Sequence, residues 1–176
     1  MRSFSNDLRS ALDVIAAATE QFAMACLDAG ADGFVFVTQL AEKDKMRARE
    51  YRDFGQQFDL LVLEALKHVP IRILHFDSEH PLFELADRYP VQAVCWATWH
   101  SDPSLANARR QTRRTLMGGL NPTTFASGSQ VDVQDQVEDA IAQTEGWQIL
   151  ISPSGPLPPD SRAELLSAVY EILRIP

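Results

Sequence analysis

The feature that most constrains this chain is an alternation. Short apolar runs rich in β-branched and aromatic residues are each followed by a longer stretch with apolar residues every three or four positions. The runs are "FVFV" (Phe34 to Val37), "IRILHF", "VQAVCWA", "TLMGGL" and "WQILIS". The intervening stretches predict helices at 7–29, from about Asp44 to His68, over "PLFELADRY", "SLANARRQT" and "VDVQDQVEDAIAQT", and over 160–174. Strands alternating with helices in this way predict βαβ units and a parallel sheet. "FVFV", apolar on both sides, reads as a strand covered on both faces.

Local signals support these elements. Leu8, Leu12, Ile15, Thr19, Phe22 and Cys26 share one face of the first helix, with Ser5 or Asn6 as its N-cap and Gly30 as its C-terminal cap. Pro70 ends the second helix, Pro81 is expected in the first turn of the third, and Val133, Val137, Ala140 and Ile141 point inward from the fifth. Two architectures accommodate five such units: an open doubly wound sheet, or part of a (β/α)₈ TIM barrel. A whole barrel takes about 250 residues, more than the 176 here.

Composition narrows the function. With 45% hydrophobic and 23% charged residues the chain reads as a single domain, 1–176. A formal charge of −8 argues against nucleic-acid or anionic-membrane partners. The one basic run, "RRQTRR" (Arg109 to Arg114), reads as a solvated helix end. Cys26 and Cys95 lie far apart in apolar segments, as free thiols do in a reducing compartment. No stretch reads as a leader or a membrane span, so a cytoplasmic protein is expected.

In either architecture, chemistry gathers beyond the C-terminal ends of the strands. Those ends are Thr38-Gln39, His75 to His80, Thr98 to Asp102, Asn121 to Thr124 and Ser152 to Gly155, and they hold three of the four histidines. His75 and Asp77, two apart, project to the same side if both are extended. The plain readings are a pocket-lining histidine and an aspartate capping the short helix at Pro81. Trp96 and Trp99 offer an aromatic wall for a flat ligand, with at least one of them core.

Read in order, "DAGADGFVFVTQLA", "PIRILHFDSEHPLFELADRYPVQAVCW", "LMGGLNPTTF" and "GWQILISPSGPLPPD" resemble the C-terminal half of the uroporphyrinogen decarboxylase family. The resemblance covers nearly all of 6–176 and implies a partial (β/α)₈ barrel of about five parallel βα units. It implies tetrapyrrole (porphyrin) chemistry: cofactor-free decarboxylation of acetate groups. The family's essential carboxylate and its arginines belong to earlier units with no counterpart here. A truncated product or one half of an assembly is therefore expected: a homo-oligomer or a pairing with an N-terminal half, inactive alone. The family's substrate-facing hydroxyl falls on Thr38, and its late histidine falls on Gly155 and is lost. The expected substrate-binding set is Thr38, His75, Asp77, Trp99 and Asn121.

The zinc-dependent methyltransferases of the same superfamily carry a His-x-Cys motif and a later Cys. Here these read His75-Phe76-Asp77 and Gly155 or Ser154. The alternative this implies is zinc on His75 and Asp77, with a third ligand from His100, Glu79 or Asp102. A third reading is a non-catalytic half-barrel partner.

Overall fold

The computed structural model describes residues 5–174. Five parallel strands form one sheet: β1 (Gly33–Thr38), β2 (Ile71–Phe76), β3 (Ala93–Trp96), β4 (Thr115–Leu120) and β5 (Ile149–Pro153). Their spatial order is the chain order, β1-β2-β3-β4-β5. That order decides between the two architectures. A doubly wound sheet reverses direction at a switch point, whereas successive right-handed crossovers without reversal put every connecting helix on one face. The fold is an α/β partial TIM barrel, with β1 and β5 as free edges.

The helical layer comprises α1 (Ser5–Asp28), α2 (Ala48–Tyr51), α3 (Gln57–Ala65), α4 (Leu105–Gln111), α5 (Thr124–Ser127), α6 (Gln130–Thr144) and α7 (Ala163–Leu173). The single helix expected from Asp44 to His68 starts later, ends earlier, and is interrupted by a π-turn at Arg52–Gln56. There the Tyr51 ring lies against Gly55, where a Cβ would come within 2.5 Å of it. The short helix after β2 is a 3₁₀ helix, Phe83–Arg88. Pro81 precedes it, bridging to Glu42 rather than opening its first turn. Helix α1 is already under way at Ser5, so its start lies outside the described residues. Gly30, at φ +104°, closes it as expected, with Gly30 N–H and Ala31 N–H donating to Leu27 and Cys26 carbonyls.

Alternate strand residues divide between two faces, except in β3, where all four are buried. Leu74, Phe76, Val94, Trp96 and Leu116 point into the helical layer and form the main core with Tyr51, Leu63, Phe83 and Tyr89. Their neighbours Val35, Val37 and Leu150 are 53%, 52% and 48% exposed. The expectation that β1 is covered on both faces is thus corrected: within this chain one face is bare. Helix α1 departs similarly. It packs through Leu12, Ala16, Ala23 and Leu27 against Phe58, Val62 and Leu66, while Ile15 and Phe22 lie exposed. Its span Asn6–Asp28 is also long and apolar enough, by composition, to cross a membrane, where none was expected. On α6, Val133, Val137 and Ala140 are buried but Ile141 is not.

At the strand starts, Arg110 and Arg113 of the basic run are exposed as expected, but Arg109 and Arg114 are engaged with the backbone. Arg109 donates to the carbonyls of Thr112, Arg114 and Gln148, and Arg114 to those of Val91, Asp87 and Tyr89. Arg72 does the same for Lys67, Val69 and Pro90. Three guanidinium groups hold the lower turns together by charge-assisted bonds.

Candidate functional site

Register places one residue from each strand in a single row across the bare face: Val37, His75, Cys95, Met117 and Leu150. Each is one residue away from a side chain packed among the helices (Phe36, Leu74, Val94, Leu116, Ile149), so all five project to the other side. His75 is half-buried, and burial lowers its pKa from the usual value, opposed by the charge of Asp77. Its imidazole is neutral at pH 7. Cys95 is buried, which pushes its thiol up to about 11.

Above this row the loops after β1 and β2 are stitched together. Asp77 N–H donates to the Thr38 carbonyl at 3.0 Å, Lys43 N–H to His80 O at 2.9 Å, and Leu82 N–H to Ala41 O at 2.8 Å. The buried Glu42 carboxylate accepts from Glu79 N–H and pairs with Lys45, which holds it below the usual carboxylate range. Asp77 is exposed and accepts from Gln39 Nε2 at 2.9 Å. It ties two loops together and does not cap the 3₁₀ helix, which has no side-chain cap.

Thr38 faces away from this side, a correction to its expected role. It shares the orientation of Phe34 and Phe36, is 6% exposed, and its Oγ1 lies 2.6 Å from Tyr51 Oη. Tyr51 and Tyr89 both donate to Asp59 Oδ2, at 2.6 and 2.8 Å. Burial raises the pKa of all three above their ordinary values, and the two hydroxyl donors partly offset this for Asp59. This network lies beneath the helical layer.

At the ends of β3 to β5, Thr98 Oγ1 and Ser154 Oγ are 2.6 Å apart and both accept from Gly119 N–H. Trp99, 40% exposed, donates its indole N–H to the Gly119 carbonyl at 2.7 Å. Trp96 is the core member of the pair, fully buried and bonded to Pro103 O. Asn121 is committed locally: its Oδ1 accepts from Thr123 N–H and Oγ1, forming an Asx turn ahead of α5. That turn engages the Asn121 side chain through Oδ1 alone, and its amide NH2 takes no part in it.

The structure therefore brings His75 to the bare face with Asp77 and Trp99 at its rim, and removes Thr38. Among the described residues no three His, Cys, Asp or Glu side chains gather as a metal site. His100, Glu79 and Asp102 are exposed and do not complete a set with His75 and Asp77. Cys95 and Met117 were missed. The period of two counted back from His75 gives the inward positions of β2, but only pairing register identifies their neighbours.

The model of the uroporphyrinogen decarboxylase (URO-D) family matches residues 1–174, and the chain belongs to that family. Among solved structures, a methyltransferase from Methanosarcina mazei matches with a TM-score of 0.80 at 20% identity. The match covers 97% of this chain and 51% of the other, so the chain spans about half the length of the structure it resembles. Among curated proteins there is no match.

Proposed function

We propose that this chain supplies five βα units of a uroporphyrinogen-decarboxylase-type barrel and that its bare face forms one wall of the substrate cavity. The observation that carries this reading is the inward row: a neutral half-buried histidine set among Val37, Met117 and Leu150. Decarboxylation of an acetate group on a pyrrole replaces CO₂ by a proton at the same carbon. That chemistry needs a proton donor in a cavity poor in water. Among the inward strand residues, His75 and Cys95 are the two that titrate, and Cys95 holds its proton too tightly to serve near neutrality. His75 is accordingly assigned to hydrogen-bond the substrate and to relay a proton, with Trp99 and Asp77 at the rim.

Completion of the cavity is assigned to a second set of βα units. An open groove of about 720 Å³ runs along the free edge of β1, lined by Phe22, Val35, Val37, Phe54 and Phe58 among others. An exposed apolar edge strand is a template for pairing. The proposed setting is the cytoplasm, with a tetrapyrrole substrate and no cofactor.

Uroporphyrinogen turnover tests both parts. The purified chain alone is expected to be inactive; activity from it would overturn the half-barrel reading. Joined to a polypeptide bringing the missing βα units and their acidic strand end, it should turn over, and His75→Gln should lower kcat by about 100-fold or more. No turnover by the completed barrel would overturn the decarboxylase reading.

Metal-assisted methyl transfer is the second reading, favoured by the name of the structural neighbour and by His75 and Asp77 at one strand end. Stoichiometric zinc that is lost on His75→Ala supports it; a chain that retains no zinc after loading removes it.

A further inference from the structure

We propose that His75, Cys95 and Met117 form a binding site for a soft monovalent cation, copper(I), on the inward face of the sheet. The three are consecutive in the register, His75 opposite Cys95 and Cys95 opposite Met117, on strands spaced about 4.8 Å apart. They present an imidazole nitrogen, a thiol and a thioether. Among the described residues none of these side chains takes part in a hydrogen bond, and Cys95 is 6% exposed although it lies on the bare face. Its short side chain sits between two longer ones in the register. A cation held above Cys95 lies within reach of both flanking donors.

The donor set selects the ion. Thiolate and thioether ligands favour copper(I), whereas magnesium, calcium and manganese take oxygen ligands. Charge points the same way. Binding replaces the thiol proton: Cys95–SH plus a monovalent cation gives a sulfur–metal bond and one released proton. Thiolate and cation then sum to zero, which a row bounded by Val37 and Leu150 accommodates. A divalent ion with one thiolate leaves a net charge there, and unpaired charge in apolar surroundings is strongly disfavoured. This site differs from a zinc site on His75 and Asp77 and does not rest on the proposed decarboxylation. Occupancy would tie up the His75 imidazole.

The test is anaerobic titration of the reduced full chain with copper(I) delivered from a competing colorimetric chelator, with silver(I) as a redox-inert second probe. One equivalent is expected. Cys95→Ser should abolish tight binding, and Met117→Leu and His75→Gln should each weaken it by at least about tenfold. Cys26→Ser and Asp77→Asn should leave it unchanged. Met117→Leu nearly conserves volume, so it reports on ligation even if Cys95→Ser perturbs the fold, and a shift of the Met117 methyl resonance on adding silver(I) checks contact directly. Loss of binding in Cys26→Ser, undiminished binding in Cys95→Ser or in Met117→Leu, or failure to take copper(I) from the chelator would each overturn the proposal.

Discussion

Along β2, Leu74 and Phe76 are fully enclosed, while Ile73 and His75, one residue away in each case, face the open side. The same strand thus meets two environments. On the covered face large side chains interlock, as with Phe83 against Trp96, whose rings lie 4.7 Å apart edge to face. On the bare face the row from Val37 to Leu150 has no facing layer among the described residues. The covered face carries stability and the bare face is free to carry chemistry, because little packing energy is at stake there.

Mutations on the two faces should separate these roles. The largest effect is expected from Leu74→Ala, which opens a cavity in the covered core; urea unfolding should show a loss of about 3 kcal/mol. Next is Gly118→Ala at the top of the sheet. Gly118 has φ +153°, and a Cβ there would lie 3.0 Å from Ser154 Oγ and from Thr98 Cγ2. A loss of about 1–2 kcal/mol in the same measurement is expected.

The faces should also differ in the sign of their pH dependence. Asp59, under the helices, has its pKa raised above 3.8 by burial, so the stability linked to its protonated form is lost as pH rises from about that value through its folded pKa. His75 has its pKa lowered below 6.5 by burial, so stability linked to its neutral form is lost as pH falls from about that value through its folded pKa. In unfolding curves collected from acid to neutral pH, Asp59→Asn should remove the first slope and His75→Gln the second. The smallest effect is expected from Val37→Thr. It should change the stability of the isolated chain by less than about 0.5 kcal/mol, because Val37 is 52% exposed. A change as large as that of Leu74→Ala would show that the bare face is covered in solution.

The strands were legible in the sequence because a short β-branched or aromatic run between turns has few other readings. "IRILHF" is β2 and "TLMGGL" is β4 from end to end, and the other strands shift by a residue or a few. Which face of β1 would be covered was not legible. Phe34 to Val37 are all apolar, so the period of two leaves no mark. Thr38 shows the consequence: a hydroxyl at a strand end looks like a substrate contact until its orientation, shared with Phe36, turns it toward Tyr51. His75 could be placed at the site because a strand-end histidine in an apolar run is conspicuous. Its partners Cys95 and Met117 lie inside apolar runs and are brought to it by pairing register, which one sequence does not disclose.

The order β1 to β5 also bears on how the chain folds. Each strand is paired with the one before it and the one after it, and no pairing joins the first to the last. No distant ends must meet before the sheet can grow, so the entropic toll of ring closure is absent and folding can spread from unit to unit, as in repeat arrays. Opening should then proceed inward from the two ends. Amide exchange should be fastest in β1 and β5 and slowest in β3, whose four residues are all buried between paired neighbours.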